Sequence, residues 1–426
     1  MNLYTTPADA TIEKLLAAVR ADRLWRAHME MAELGATSAG GVRRIALTAE
    51  DHAARLRLVQ WATARGHAVF TDPIGNMFVR REGTERDASP VLTGSHLDSQ
   101  PTGGKFDGPF GVLAGLEVLQ ALDDAGIATR RPIEVVSWSN EEGCRFGPGC
   151  MGASSFASPT LLAGWLASVD SEGISVEQEL RQLEALLQGV ARRPLGGPVH
   201  AYVEAHIEQG PLLEDAKATI GVVSGVQGCR DFRITVGGRA GHAGTTPLLG
   251  RRDALRAAIG LAEQLYRLVE DSDADTRFTI GEMRVQPNSS SVIPNQVRFL
   301  IDFRHPSQDA LTRIGDRIAD VCRRYPTPCE VSVEETRWRV PVVFESTVRD
   351  AVQSAARRQG YASLVLVSGA SHDAVHLHRV CPTGMIFIPC AGGLSHSEEE
   401  SATPEDLHAG ARVLAEVLLG LSEGRR

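Results

Sequence analysis

His96, Asp98 and Asp107 lie close together in the glycine-rich segment TGSHLDSQPTGGKFDG, residues 93–108. Imidazole and carboxylate groups are the side chains with which proteins commonly bind divalent metal ions. The segment could equally be a surface loop, because glycine, proline, serine and aspartate all favour turns. A metal site requires further His, Asp or Glu residues elsewhere, at positions where the fold can gather them.

Further residues of these types occur in three later segments. Glu141 and Glu142 follow the apolar run IEVVSWSN. His206 lies within VEAHIEQG, and His396 follows IPCAGGLS. Taken singly, each has an ordinary explanation, because a lone histidine is more often structural and paired glutamates usually lie on a solvated surface. Their common position at or just past predicted strand ends favours one shared site.

Hydrolysis with two metal ions needs a bridging carboxylate, imidazole and carboxylate ligands for each ion, and an unligated carboxylate as base. Glu141 and Glu142 could divide the tasks of base and ligand, and Asp98 could hold the imidazole of His96 in the ligating tautomer. Two other chemistries lack their motifs. The sequence has no G-x-S-x-G elbow for a serine hydrolase, no Walker A motif, and no G-x-G-x-x-G motif directly after a predicted strand for nucleotide binding.

The elements that must position these residues alternate between strand and helix. PVLTGSHLDS and RPIEVVSWSNEEG are predicted strands, and GVLAGLEVLQALDDAGI between them is a predicted helix. This order predicts a mainly parallel α/β sheet, in which ligands bind at the carboxyl ends of the strands. In the strand HAYVEAHIEQG, a period of two places Glu204, His206 and Glu208 on one face.

From about Ile220 the pattern changes to β-α-β-β-α-β, the order of a split βαβ sandwich. After it, the α/β alternation resumes with STVRDAVQSAARRQG, LVLVSG and TGMIFIPC. We therefore expect one α/β domain, residues 1–214 and 337–426, interrupted by an inserted domain, residues 215–336. The two crossing points would form a hinge.

Bulk composition narrows the class of protein. The net charge of −9 disfavours nucleic acid and membrane surfaces as partners. No apolar run is long enough for a membrane span, and the N-terminal segment lacks the features of a secretory signal. Seven cysteines without a C-x-x-C pair disfavour a disulfide framework. We expect a cytoplasmic protein.

These residues lie in motifs by which the sequence resembles the M20 metallopeptidase-like amidohydrolases. The branch it resembles contains N-carbamoyl-L-amino acid hydrolase, β-ureidopropionase and allantoate amidohydrolase. The resemblance implies a mainly parallel-sheet metallopeptidase-like catalytic domain with an inserted ferredoxin-like α+β domain that serves as lid and dimerisation domain. The motifs are GSHLDSQPTGGKFDGPFGVLAG, WSNEEGCRFGPGCMGA, EAHIEQGPLLE, GVVSGVQGCRDFRITVGGRAGHAGTTPLLGRRDAL, VIPNQVRFLIDFRHP and SGASHDA followed by PTGMIFIPCAGGLSHSEEE.

The resemblance also implies roles at the metal site. Asp107 resembles the carboxylate that bridges two ions, and Glu141 resembles the general base that activates the attacking water. The implied cofactors are two divalent ions, Zn²⁺ or Mn²⁺, with Co²⁺ or Ni²⁺ also compatible with these ligands. The implied ligands are His96, Asp107, Glu142, His206 and His396.

The resemblance implies substrate contacts in the inserted domain and near it. In that branch the inserted domain forms a homodimer, and His242 of GHAGTTP would stabilise the oxyanion in the partner's active site. Arg304 of DFRHP resembles the arginine that grips a substrate carboxylate, and Gln209 resembles a ligand-contacting amide. As local features alone, His242 could be a turn residue between glycines and Arg304 an ordinary surface arginine.

The sequence departs from the branch pattern at two positions. The segment PNSSSVIPN places Ser291 where we expect a substrate-binding asparagine, and the nearby Asn288 is a candidate substitute. Ser371 in SGASHDA stands where we expect glycine. Both departures bear on the substrate rather than on the metal site.

The predicted activity is that of an amidohydrolase on linear amides. It would hydrolyse the N-carbamoyl group of a small amino acid, either an N-carbamoyl-L-amino acid or N-carbamoyl-β-alanine, and release carbon dioxide, ammonia and the free amino acid. The alternative is an allantoate or ureidoglycolate amidohydrolase of purine catabolism, followed by a dipeptidase or aminoacylase. A non-catalytic binding protein is disfavoured because the candidate ligand and base positions are intact.

Overall fold

The chain folds into two units, and the computed structural model describes residues 3–270 and 272–424 of it. The larger unit comprises the chain up to Ser224 and from Phe344 onwards, and the inserted unit is Gly225–Val343. The sequence pattern places the limits earlier, at 215 and 336. The first limit differs because the segment near Ile220, where the pattern changes, is a strand that still pairs with the sheet of the larger unit, through Val223 and Met385.

The elements are numbered in chain order. Before the insertion the helices are α1 (Asp9–Ala18), α2 (Ala21–Ala32), α3 (Ala49–Ala64), α4 (Pro109–Asp124), α5 (Met151–Ala157), α6 (Leu162–Leu166), α7 (Val176–Leu186) and α8 (Leu212–Ala216). The strands of the same part are β1 (Ala68–Thr71), β2 (Met77–Arg81), β3 (Val91–His96), β4 (Ile133–Trp138), β5 (Ala191–Arg192), β6 (Ala201–Ile207) and β7 (Ile220–Val226). The next elements are β8 (Gly228–Gly237), β9 (Gly241–His242), α9 (Ala254–Glu270), β10 (Arg277–Gln286), β11 (Val292–Ile293), β12 (Gln296–His305), α10 (Gln308–Arg324), β13 (Glu330–Arg339) and β14 (Val342–Val343). The last are α11 (Ser346–Arg358), β15 (Ser363–Ser368), α12 (Ala374–Leu377), β16 (Thr383–Ile388) and α13 (Pro404–Ser422).

The sheet of the larger unit has the order β7-β16-β6-β3-β4-β2-β1-β5, with β15 paired to β7. Its centre, β16-β6-β3-β4, is parallel, whereas β7 and β2 join it antiparallel. The predicted mainly parallel sheet is therefore confirmed. The central strands are buried along their whole length because helices cover both faces of such sheets.

Helix α4 packs closely on this sheet because its inner face carries small residues. A Cβ on Gly111 would lie 2.4 Å from the backbone oxygen of Ala205, a distance that no side chain can occupy without a shift. On the other side α13 packs against α4. This close approach holds the start of α4, and thus the loop before it, against the ends of β3 and β6.

The inserted unit is a four-stranded antiparallel sheet with the order β13-β8-β12-β10. The chain order β-α-β-β-α-β with this strand order is the predicted ferredoxin-like arrangement. Alternate residues of β8 and β12 form a core with α9 and α10, including Phe232, Ile234, Phe299 and Phe303. A separate two-stranded ribbon pairs β9 with β11.

In the described parts of the chain, no helix is both long enough and apolar enough to cross a membrane.

Candidate active site

The candidate metal ligands of the larger unit meet at the carboxyl ends of parallel strands. His96 is the last residue of β3, and His206 lies at the end of β6. Glu142 follows β4, and His396 lies in the loop after β16. The parallel pairing of these strands places their ends at one edge of the sheet, so residues far apart in sequence become neighbours.

Asp107 lies between two groups of histidines. Its Oδ1 atom is 3.2 Å from His206 Nε2 and 3.9 Å from His96 Nε2. Its Oδ2 atom is 3.3 Å from His396 Nε2. The two oxygens of one carboxylate thus face different imidazoles, as a bridging ligand requires.

The same residues form two donor sets that share Asp107. One set is His96, Asp107 and His206, and the other is Asp107, Glu142 and His396. Within each set the donor atoms lie within 4.8 Å of one another. Glu142 Oε2 is 3.5 Å from His396 Nε2. Nitrogen and oxygen donors at these separations suit two adjacent divalent ions.

Both buried histidines of the first set present the correct nitrogen. His96 Nδ1 lies 2.9 Å from the backbone oxygen of Asp98, and His206 Nδ1 lies 2.9 Å from the backbone oxygen of Ile207. A carbonyl oxygen accepts hydrogen bonds, so each Nδ1 carries the proton and each Nε2 has a lone pair for a metal. His206 Nε2 is buried and makes no well-aligned hydrogen bond, although it lies close to Asp107.

Asp98 supports the site differently from the sequence-based expectation. Its backbone carbonyl, rather than its carboxylate, holds His96, since the carboxylate Oδ1 is 3.8 Å from His96 Nδ1. The carboxylate instead accepts hydrogen bonds from the backbone N–H groups of Glu141, at 3.2 Å, and Glu142, at 3.1 Å. Asp98 therefore orients the Glu141–Glu142 turn as well as the imidazole.

Negative charge is concentrated in this site. Burial and the Asp107 carboxylate raise the pKa of Glu142 to about 8. Burial and the Glu142 carboxylate raise the pKa of Glu141 well above its usual value. Burial alone would raise the pKa of Asp107, but the adjacent imidazoles of His206 and His396 hold it well below its usual range. Divalent cations would supply the positive charge that these buried carboxylates need, so the residues fit two bound ions.

Glu141 lies beside the donor sets with its two oxygens in different surroundings. Oε2 is 3.7 Å from His96 Nε2, on the side of the ligands. Oε1 accepts a hydrogen bond from the Cys150 thiol, with 3.2 Å between Sγ and Oε1. A buried carboxylate next to the ligands but outside both donor sets suits a general base.

Gln209, Ser395 and Glu400 support Asp107. Gln209 Nε2 donates to Asp107 Oδ2 at 3.0 Å and to Ser395 Oγ at 3.1 Å. Glu400 Oε1 accepts from the backbone N–H groups of Phe106, at 2.9 Å, and Asp107, at 3.0 Å. Gln209, expected to contact a ligand, thus hydrogen-bonds the shared carboxylate in this structure.

Gly108 allows this loop to approach His96. Its φ of +85° is in the left-handed region that favours glycine. A Cβ at this position would lie 2.3 Å from His96 Cε1. The glycine therefore lets Asp107 and the start of α4 close over the imidazole.

Sequence reasoning gave no role to several buried polar residues at this site. His372 stacks edge-on against His206, with ring centroids 4.6 Å apart. Both carboxylate oxygens of Asp373 are buried without a hydrogen-bond partner. The segment SGASHDA, which contains both residues, is one of the motifs quoted above, so the sequence could have indicated that they belong to the site. Cys150 and Glu400 lie in quoted motifs too, but their residue types suggest no function.

The remaining predicted residues lie in the inserted unit, and three of them lie on or beside the β9–β11 ribbon. His242 pairs with Val292, and the backbone oxygen of Ser291 accepts from Ala243 N–H at 2.9 Å. Asn288 precedes β11 and has a φ of +56°. These contacts bring His242 and Ser291 together.

The hydrogen bonds of His242 define its tautomer. Its Nδ1 accepts from the backbone N–H groups of Gly244, at 3.1 Å, and Thr245, at 3.2 Å. In the neutral imidazole the proton is therefore on Nε2, which is then a hydrogen-bond donor. A donor is what an oxyanion requires.

Arg304 lies on β12 and forms a bidentate ion pair with Asp302. Its Nε and Nη2 atoms are 2.7 Å and 2.8 Å from the two carboxylate oxygens. The pair lies on the sheet face opposite the helices, beside a cavity of about 610 Å³ that is lined by residues of the inserted unit, including Gln227, Asp231 and Arg277. The guanidinium is thus already oriented by a carboxylate of its own strand.

The chain is similar to known proteins in both sequence and structure. The family model described as peptidase family M20/M25/M40 matches residues 92–420. The chain is 41% identical over 410 residues to an N-carbamoyl-L-amino-acid amidohydrolase of Rhizobium meliloti, covering 95% of this chain and 97% of that protein. It is 32% identical over 396 residues to an allantoate amidohydrolase of Bacillus subtilis, covering 92% and 95%. The crystal structure of an amidase of the hydantoinase/carbamoylase family from Burkholderia multivorans matches with a TM-score of 0.88 at 45% identity, covering 95% of this chain and 98% of that one.

Proposed function

Because the chain belongs to peptidase family M20/M25/M40 and is an amidohydrolase of carbon–nitrogen bonds in linear amides, we propose that its substrates are N-carbamoyl amino acids. The products are carbon dioxide, ammonia and the free amino acid. The main support for this proposal is the pair of donor sets that share Asp107, in a chain similar to N-carbamoyl-L-amino-acid amidohydrolases.

The proposed metal centre consists of His96, Asp107, Glu142, His206 and His396. Two divalent ions held by these side chains, Zn²⁺ or Mn²⁺ in our proposal, would supply the Lewis acidity that acidifies water and polarises a carbonyl group. Glu141 takes the proton of the attacking water and returns it to the leaving nitrogen. Its side chain, which is only 10% exposed next to the candidate ligands, and its position outside both donor sets support that role.

The inserted unit supplies the proposed substrate contacts. Arg304 binds the substrate carboxylate, and His242 donates through Nε2 to the ureido oxygen as charge develops on it. The tautomer set by the Gly244 and Thr245 amides supports this role for His242. Gln209, Asn288 and Ser291 remain candidate substrate contacts, and Ser291 lies beside His242 through the hydrogen bond to Ala243.

We also propose that the inserted unit forms a homodimer in which His242 completes the partner's site. This unit exposes large apolar side chains that a partner would cover, among them Leu248, Leu249, Ile259, Tyr266 and Met283. An Ile259→Asp substitution would place a charge on this surface. We expect sedimentation velocity to show a dimer for the wild type and a monomer for the variant, and a monomeric wild type would contradict the proposal.

The alternative substrate is allantoate or a ureidoglycolate-type compound. The 32% identity to an allantoate amidohydrolase supports this alternative. Ser291 and Ser371, which depart from the carbamoyl-branch pattern, are the positions at which the substrate preference would be decided. The reducing, cytoplasmic location that we propose for the enzyme is supported by its seven cysteines, an odd number without a C-x-x-C pair.

A substrate screen tests the proposed function. Metal-stripped enzyme is reloaded with Mn²⁺ or Zn²⁺, ammonia release is measured with N-carbamoyl-L-amino acids, N-carbamoyl-β-alanine and allantoate, and release of free amino acids is measured with a dipeptide. We expect ammonia from the N-carbamoyl compounds, and none from the metal-stripped protein. Ammonia from allantoate alone would establish the alternative and reject the proposed substrates.

A further inference from the structure

Cys150 hydrogen-bonds Glu141 through both its backbone and its side chain. The Cys150 backbone N–H donates to the Glu141 carbonyl oxygen at 2.8 Å. The Cys150 thiol donates to Glu141 Oε1, with Sγ 3.2 Å from the oxygen. One residue therefore holds the main chain of the proposed base and one of its two carboxylate oxygens.

The thiol has no competitor for this role among the residues that the structure describes. Cys150 is the one hydrogen-bond donor that reaches the Glu141 carboxylate. The charged side chains that raise the pKa of Glu141 include the carboxylates of Glu142, Asp98 and Asp107, and an ionised carboxylate can only accept. Burial and Glu141 also hold the pKa of the Cys150 thiol well above its usual value, so the thiol keeps its proton.

The backbone of Cys150 is unusual for a residue with a side chain. Its φ and ψ, 49° and 33°, lie in the left-handed region, where a Cβ costs about 1 kcal/mol or more. This conformation at the start of α5 lets the same residue direct both its N–H and its thiol at Glu141. Two further backbone hydrogen bonds join the same segments, since Met151 N–H donates to Asn140 O and Gly152 N–H to Ser139 O.

We infer that Cys150 is a positioning residue for the general base: its thiol holds Oε1 of Glu141 so that Oε2 faces the metal ligands. The inference rests on the proposed function only in treating Glu141 as the base. Oε2 is the oxygen near His96 Nε2, at 3.7 Å. Without the thiol, the carboxylate is free to rotate about its last bond, and the productive orientation is populated for a smaller share of the time.

The kinetic test compares Cys150→Ala and Cys150→Ser with the wild type. In Cys150→Ala we expect kcat to fall about tenfold, KM to change by less than about twofold, and the metal content to stay the same. Cys150→Ser keeps a donor at the position and restores most of kcat. The matched control is Cys381→Ala, which removes another buried cysteine of the larger unit and leaves kcat unchanged. Loss of kcat in Cys150→Ala without rescue by serine would overturn the inference in favour of a packing role.

Infrared spectroscopy tests the hydrogen bond without any turnover. The S–H stretching band of Cys150 is isolated as the difference between wild type and Cys150→Ala, both loaded with metal. Replacing Glu141 by glutamine exchanges a charged acceptor for a weaker neutral one, so we expect the band to move to higher frequency. A band that does not move in Glu141→Gln would overturn the inference.

The two measurements separate this inference from the proposed function. A wild type that releases no ammonia from any ureido compound would reject the proposed function, and the infrared band would still decide whether Cys150 holds Glu141. A wild type that is active, together with an equally active Cys150→Ala variant, would reject the positioning role alone.

Discussion

Glu141 and Glu142 are adjacent in sequence and identical in type, yet their carboxylates lie in different surroundings. Glu142 belongs to a donor set, with Oε2 3.5 Å from His396 Nε2. Glu141 is outside both sets and directs Oε2 towards His96 at 3.7 Å. Substituting each by glutamine changes charge and proton affinity while keeping volume, so the pair forms a matched experiment.

The structure indicates the size of each effect. Glutamine at 141 can still accept the Cys150 thiol through its amide oxygen, but its amide nitrogen cannot take a proton from water. General base catalysis contributes about 10²–10⁴-fold, so we expect kcat of Glu141→Gln to fall by that factor, or about 3–5 kcal/mol of transition-state stabilisation. Its metal content stays at the wild-type level because no ligand is lost.

Glu142→Gln has the opposite pattern. Both oxygens of Glu142 accept from Gln100, Oε1 from its backbone N–H at 3.1 Å and Oε2 from its Nε2 at 2.8 Å, so the new amide nitrogen meets a donor of Gln100 in either orientation. The variant loses an anionic ligand and places a donor N–H group among the ligands. We expect metal affinity to fall by about 100-fold or more, with activity partly recovered at high metal concentration.

Mass spectrometry of metal content after dialysis, together with kcat at saturating metal, separates the two outcomes. The reasoning is refuted if Glu141→Gln binds both ions and hydrolyses substrate as fast as the wild type. It is also refuted if Glu141→Gln loses an ion while Glu142→Gln retains both, because the two glutamates would then have exchanged roles.

Three further predictions concern other parts of the chain. Asp107→Asn removes the carboxylate that both donor sets share, so metal analysis should show that both ions are lost, whereas His396→Asn weakens one set only. Retention of both ions by Asp107→Asn would contradict a bridging role for Asp107. Arg304→Lys should raise KM about tenfold with little change in kcat, because lysine cannot make a bidentate pair with a carboxylate; an unchanged KM in steady-state assays would exclude Arg304 from carboxylate binding. His28 is buried without hydrogen bonds to its ring nitrogens, and burial lowers its pKa from 6.5 to about 3. Below pH 6.5 the unfolded chain therefore binds a proton at His28 that the folded chain does not. The free energy of unfolding of the wild type should fall by about 2 kcal/mol relative to that of His28→Leu over about two pH units below that value. Urea unfolding at each pH measures this difference, and a difference that stays constant with pH would disprove the prediction.

The residues of the two donor sets could be predicted from the sequence because their signals are local. Apolar runs define the strands, and His96, Glu142 and His396 each follow such a run, so parallel pairing brings them to one edge. The α/β pattern and the inserted β-α-β-β-α-β order could likewise be predicted from the hydrophobic periodicity of the sequence. The contact-based limits of the inserted unit, 225 and 343, lie later than those of the sequence pattern, because a strand of one sheet that runs on into another unit looks the same in sequence as a strand that starts a new domain.

Only the tertiary structure determines which atoms of each residue make the contacts at the candidate site. The sequence suggests that Asp98 supports His96, but the folded chain uses the backbone carbonyl for that contact and reserves the carboxylate for the Glu141–Glu142 turn. Glu400 binds the backbone of Asp107 from a distant part of the chain, and Cys150 reaches Glu141 through a left-handed backbone conformation. Such contacts depend on the relative position of loops to within an ångström, which no residue type or spacing records, because they arise from packing between elements rather than from the pattern within one.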